Sequence, residues 1–259
     1  MTRPVALVTG ASSGIGAAFA RALATRGHDL VVVARDTDRL RALAARLEAD
    51  HGAATEVLTA DLVDPDGVGR VAARLARDDD PVDLLVNNAG FGTSGNFRDL
   101  PVAQEEAEIR LNVVALVRLT HAALGPMVAR GRGGVINVSS VAAYQATPGS
   151  ATYGGTKAFV SNFSNALHEE LRGTGVKLMV LAPGFTRTEF HERAGITGAL
   201  PEIFWQDADD VVDQALRDYD KGRAVCIPGA LNVAAAAFSA SLPAGVTRRV
   251  SGMVTRRTY

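Results

Sequence analysis

The chain has 259 residues, 27 Lys and Arg against 28 Asp and Glu, and a formal net charge of -1, with 47% hydrophobic and 21% charged residues. That length suits one α/β domain with a large core, and the balance excludes a disordered chain and a protein built to coat nucleic acid. Cys226 is the single cysteine, which excludes an internal disulfide and a cysteine-built metal site and fits a reducing cytoplasm.

Met1 to Pro4 leaves no room for a signal peptide before the first apolar run, and the late apolar stretch 230–242 falls short of the roughly 20 residues that cross a bilayer, so no transmembrane helix is expected. Short β-branched runs alternate with helical periodicity. Strands are predicted over 5–9, 30–34, 56–59, 84–87, 134–138, 177–182 and 224–227, each apolar enough to be covered on both faces. Between them, apolar residues recur every three or four positions over 15–26, 39–50, 68–77, 105–128, 156–172 and 209–220, the pattern of crossover helices. Arg77 to Asp80 reads as a solvated turn. The expected fold is α/β, a Rossmann-type doubly wound parallel sheet of seven strands in a single domain over 1–259, with no internal repeat or linker.

The first strand ends in Thr9-Gly-Ala-Ser-Ser-Gly-Ile-Gly16 and runs into a helix. Gly10, Gly14 and Gly16 allow backbone N–H groups to approach a pyrophosphate, and Ile15 opens a helix whose N-terminal dipole favours negative charge, with Ser12 and Ser13 in reach of the same phosphate. The competing reading is a plain strand-to-helix turn. Tyr153 and Lys157 lie four apart at the start of a helical pattern, so both side chains address one bound molecule. A phenol with pKa near 10 is a poor base, but a neighbouring ammonium favours the phenolate, so Lys157 is expected to lower the Tyr153 pKa. Ser140 stands 13 residues upstream of Tyr153, directly after the fifth strand, and Asn112 sits unfavourably inside a long helix. The five histidines show no paired metal spacing.

The spacing G-x-x-x-G-x-G resembles that of the short-chain dehydrogenase/reductase family, and the resemblance continues through Asn87-Asn-Ala-Gly90, Asn112, Ser139-Ser140, Tyr153-Gly-Gly-Thr-Lys157 and Pro183-Gly184, over about the first 190 residues. It implies an oxidoreductase that moves hydride between a nicotinamide cofactor and a carbonyl carbon, with ketone, aldehyde or 3-oxoacyl substrates. In that role Tyr153 exchanges the proton, Ser140 rather than Ser139 binds the substrate oxygen, Lys157 holds the nicotinamide ribose, and Asn112 holds a water that feeds Lys157. Arg35, at the end of the second strand where an acidic residue would repel a 2′-phosphate, makes NADP(H) the preferred cofactor and NAD(H) the alternative. Asp36 competes with that signal, either as a ribose ligand or as a helix cap.

By the same resemblance Asp61 and Leu62 contact adenine, Asn87, Asn88, Ala89 and Gly90 line the ribose and support the sheet, and Pro183, Gly184, Thr186 and Thr188 receive the nicotinamide carboxamide. Thr188 also reads as a turn hydroxyl capping the next helix. Substrate choice is assigned to 142–147 and to a lid over about 186–207, where Phe190, Ile196, Leu200, Ile203, Phe204 and Trp205 are apolar and Gly195 and Gly198 permit motion; core sealing explains the same residues equally. The substrate is accordingly expected to be apolar.

Relatives self-associate through the helices that contain Asn112 and Tyr153, so a homodimer is expected, or a tetramer. The extension over 230–259 interleaves Arg248, Arg249, Arg256 and Arg257 with apolar residues, as a solvated helix or, less favoured, one meeting a membrane surface. No nucleic-acid partner is indicated. Two other readings, a cofactor-sensing protein without chemistry and a sugar-nucleotide epimerase or dehydratase, are disfavoured by the intact Ser140, Tyr153 and Lys157 and by the glycine spacing.

Overall fold

The computed structural model describes residues 3–190, 194, 201–241 and 245. Seven parallel strands form one sheet in the order β3-β2-β1-β4-β5-β6-β7. They are β1 Val5–Thr9, β2 Asp29–Ala34, β3 Thr55–Thr59, β4 Val82–Asn87, β5 Gly133–Val138, β6 Val176–Leu181 and β7 Val225–Cys226. Every predicted strand is present, and β7 is shorter than expected. Because β1 is flanked by β2 and β4, the winding reverses between β1 and β4, and the carboxyl ends of these strands open the crevice in which such sheets bind ligands.

The crossovers are α1 Gly14–Thr25, α2 Thr37–His51, α3 Pro65–Leu75, α4 Val102–Ile109 continued by a π-helical segment Arg110–Ala115 into α5 Leu116–Ala129, α6 Ala151–Glu170 and α7 Ala208–Asp220. Local chemistry fixes their starts. Asp36 caps α2 by accepting from the Arg39 amide at 3.0 Å, and Asp64 caps α3 ahead of Pro65, whose missing N–H costs nothing at a first helical position. That pair starts α3 three residues earlier than apolar periodicity alone indicates. The stretch expected to be too short for a membrane span forms α8, Ala230–Ser241.

Alternate strand residues serve opposite layers, as a period of two requires. Val8, Val32, Val86, Ile136 and Met179 pack with Phe19 and Leu23 of α1, Leu40 and Leu47 of α2, and Val211, Val212 and Leu216 of α7. Leu7, Val31, Leu85, Val135 and Leu178 pack with Val71 and Leu75 of α3 and Leu119 and Met127 of α5. One helical run, Val102–Ala129, has the length and hydropathy of a membrane span. It carries buried Glu105, Glu108, Asn112, Leu119 and Met127 and packs against α3 and β4, which is the signature of a core helix. The tail beyond 245, with its basic amphipathic pattern, lies outside the described residues.

Candidate active site

The turn after β1 is built by exclusion. Gly10 (φ 67°) and Gly14 (φ 53°) occupy the left-handed region that disfavours side chains. A Cβ on Gly16 would lie 2.2 Å from the Gly10 carbonyl oxygen and 2.5 Å from the Asn88 amide nitrogen. Ser13 holds the N-cap position of α1 without a side-chain capping bond, so the first N–H groups of the helix face the crevice, as an anion requires. Asn88 splints this turn to the end of β4: its side-chain amide donates to the Thr9 carbonyl at 2.9 Å and to Gly10 at 3.3 Å, while the Asn88 and Ala89 amides donate to Thr9 Oγ1.

Asn87 is a correction. It was expected to line the ribose, but it is buried, donating to Thr120 Oγ1 and Asn137 Oδ1, so it supports the sheet alone.

At the end of β2, Arg35 projects into solvent with its guanidinium 4.0 Å from Asp61. Asp36 is turned away as the α2 cap, which leaves Arg35 to meet whatever enters. Asp61 accepts from the Val63 amide at 2.9 Å, and the Leu62 side chain is buried in the core instead of facing the crevice. Across the crevice Thr188 roofs the glycine turn, since a Cβ on Gly14 would lie 3.0 Å from its methyl group. Its hydroxyl accepts from the Phe190 amide at 3.3 Å, the turn role foreseen for it. The buried Thr186 donates to the Gly184 carbonyl at 3.1 Å and pairs with Gln206 as an isolated bridge. Gly184 needs its missing side chain because Asn232 of α8 lies 2.4 Å from where a Cβ would stand. These contacts tie the base of the lid to α8, a role for Gln206 and Asn232 that sequence reasoning missed.

Ser139 and Ser140 have separate environments. Ser139 is buried, bonded to the Lys157 carbonyl and Ser161 at 2.8 Å each, whereas Ser140, at the crevice, caps the next turn by accepting from the Ala142 amide at 3.1 Å. Helix α6 starts five residues before its predicted start, which places Tyr153 as well as Lys157 within it. The Lys157 ammonium donates to the Val138 carbonyl at 2.9 Å and lies 5.7 Å from the centroid of the Tyr153 ring. A Cβ on Gly92 would lie 2.9 Å from that ring, and Phe190 approaches it at 5.5 Å between centroids.

Asn112 sits in the π-helical segment, a local widening common at functional sites. Its side chain accepts from the Phe91 amide and donates to the Phe91 carbonyl and Thr156 Oγ1, so it clamps the loop after β4 to α6. The Asn112 side chain is thus engaged in that clamp.

Electrostatics bring a second correction. Burial pushes the Tyr153 phenol up to about 12, a bond with Ser140 opposes this, and the charge of Glu108 adds to it. Burial pulls Lys157 down to about 8 while Glu108 resists. The expected lowering of Tyr153 by Lys157 is therefore outweighed, among the protein's own groups, by loss of water. Glu108 was not singled out from sequence.

The glycine turn opposite Arg35, with Ser140, Tyr153 and Lys157 at the ends of β5 and α6, defines a dinucleotide-binding oxidoreductase site. Comparison with known proteins agrees. Residues 4–197 match the short chain dehydrogenase family, and the chain belongs to it: it is an NAD(P)-dependent oxidoreductase interconverting carbonyl and alcohol groups. It is 36% identical over 217 residues to sulfoacetaldehyde reductase 2 of Chromohalobacter salexigens, covering 81% of this chain and 85% of that one. Among solved structures, a short-chain dehydrogenase from Sphingobium yanoikuyae in complex with NADPH is 42% identical with a TM-score of 0.83, covering 93% of this chain and 96% of that one. The bulky-bulky ketone specific alcohol dehydrogenase from Comamonas testosteroni is 35% identical with a TM-score of 0.80, covering 94% and 96%.

Proposed function

We propose that the protein is an NADPH-dependent reductase of apolar ketones or aldehydes. The observation that carries this reading is the meeting of Ser140, Tyr153 and Lys157 at the carboxyl edge of the sheet, beside a glycine turn that no side chain fills. NADPH, when bound, supplies the hydride; Gly10, Ser12, Ser13, Gly14, Ile15 and Gly16 would hold its pyrophosphate, Arg35 its 2′-phosphate, Asp61 and the main chain of Leu62 its adenine end, Asn88, Ala89, Gly90 and Lys157 its riboses, and Pro183, Gly184, Thr186 and Thr188 its carboxamide. Tyr153 donates its proton to the substrate oxygen, which Ser140 orients. Asn112 keeps the loop carrying Gly92 against Tyr153. In oxidation the same groups work in reverse, with Tyr153 as the base.

Apolar substrates suit the crevice edge. Phe190 lies on Tyr153, Ile203 and Phe204 are exposed, and Trp205 packs on Phe185 at 5.7 Å. Ile196, Leu200 and the hinge glycines Gly195 and Gly198 lie outside the described residues. The ketone specificity of the Comamonas relative supports the same substrate class. Exposed Ile109, Val114 and Val128 on the long helical run and Phe159 on α6 supply an apolar face suited to a homodimer. The lone, buried, unpaired Cys226 fits a cytoplasmic setting.

Arg35 provides the test of cofactor choice. Removing a charge-assisted phosphate contact costs about 1.5–3 kcal/mol, so Arg35→Ala should raise the KM for NADPH roughly 10–100-fold and move that for NADH much less. Steady-state rates with both cofactors against a panel of ketones and aldehydes read this. Equal losses with the two cofactors would remove Arg35 from the phosphate site, and native protein that prefers NADH would overturn the NADPH assignment.

A further inference from the structure

Glu108 has no exposed surface, yet it is a carboxyl group on a helix where its neighbours Glu106 and Arg110 face solvent. Its Oε2 accepts from both the amide and the hydroxyl of Thr93 at 2.9 Å, while Oε1 has no hydrogen-bond partner among the described residues. Burial at that cost asks for a compensating charge.

The residues that Glu108 holds lead straight to the catalytic pair. The loop after β4 passes Gly90, where a Cβ would lie 2.9 Å from Asn112 Oδ1 and 3.5 Å from the Lys157 ammonium. It passes Phe91, clamped by Asn112. It then passes Gly92 on the Tyr153 ring and ends at Thr93 on Glu108. Glu108 and Asn112 are four residues apart on the same helical run, so they address the same side.

Lys157 is buried with a carbonyl as its hydrogen-bond acceptor. Among the described residues, Glu108 is the acidic side chain whose charge reaches it. We propose that Glu108 is a positioning residue for proton transfer, serving as the counter-charge of the buried Lys157 ammonium and governing through its own charge how firmly Tyr153 holds its proton. This rests on the Ser140, Tyr153 and Lys157 reading.

The groups facing Glu108 are Glu105 on its own helix, Thr93 in the loop, and Lys157 and Tyr153 on α6. Burial pushes Glu108 up to about 7, the two Thr93 bonds oppose this, Glu105 adds to it and Lys157 opposes it. Glu108 therefore changes charge across neutral pH. When ionised, it favours the charged lysine and disfavours the phenolate; when neutral, it does neither.

The experiment is the pH profile of kcat/KM for alcohol oxidation with NADP, in native protein and in Glu108→Gln, Thr93→Val and Tyr153→Phe. Gln keeps an acceptor for Thr93 but carries no charge, so the ionisation near neutrality should be gone from its profile. Thr93→Val removes a bond to the charged form, so that ionisation should move to higher pH, a test that stands even where Glu108→Gln does not fold. A Gln profile that superimposes on the native one and keeps the neutral ionisation, or a Val profile with its neutral step unmoved, overturns the role of Glu108. If Tyr153→Phe is inactive in the same assay, the site reading survives that outcome; an active Tyr153→Phe overturns both.

Discussion

Tyr153→Phe is expected to lose at least ~10³-fold in kcat, within the range a positioned acid–base group supplies and equivalent to about 4 kcal/mol of barrier. The ring fills a defined space between Gly92 and Phe190, and phenylalanine preserves both contacts. Only the hydroxyl is removed, so NADPH affinity should remain near native. Pre-steady-state rates and a fluorescence titration of NADPH on the same preparation separate the two effects. Retained turnover would deny Tyr153 its role, and lost turnover accompanied by equally lost NADPH binding would reduce it to a structural one.

The second large effect concerns Gly16. An alanine methyl there would stand 2.2 Å from a backbone oxygen, with the Asn88 amide on its other side. Neither neighbour is a flexible chain end free to swing away, because Asn88 is bonded to Thr9 and Gly10. The turn itself has to shift, and the N–H groups aimed at the pyrophosphate shift with it. Gly16→Ala should therefore weaken NADPH binding by about 100-fold or more, since several charge-assisted bonds are lost together. Gly125 offers the matched control: it lies inside α5 with nothing within 4 Å of a built Cβ. Gly125→Ala should stabilise the fold by about 0.5–1 kcal/mol and leave NADPH binding alone. Calorimetric titration and thermal melts of the two variants read both outcomes, and unaltered NADPH binding in Gly16→Ala would argue against the cradle.

The sheet was legible because each strand is covered on both faces and so reads as an unbroken apolar run. Helix starts were less so. At α3, Asp64-Pro65 decides the boundary by capping, which apolar periodicity does not register. At α6, Gly154 and Gly155 weaken the helical signal even though the helix passes through them. The π-helical segment leaves no trace in hydropathy, since it exists to turn Asn112 toward Phe91 and Thr156, partners distant in sequence.

The site divides in the same way. Ser140, Tyr153, Lys157 and the glycine turn announce themselves by spacing. Asp36 offered two roles, and only the 3.0 Å bond from the Arg39 amide selects the cap. Glu108 reads as one more surface charge among Glu105, Glu106 and Arg110 until the loop after β4 is seen closing over it. Burial also reversed the expected direction of the Tyr153 shift, and burial is a property of the folded chain that spacing does not encode.

The most direct test of hydride chemistry at this site uses NADPH carrying deuterium at both C4 positions, offered with an apolar ketone to the native protein, with the alcohol product examined by mass spectrometry and NMR. One deuterium on the carbinol carbon, with a single facial preference, is the predicted result. NADPH consumed without deuterium reaching that carbon, or no consumption with any carbonyl compound despite tight NADPH binding, would contradict it.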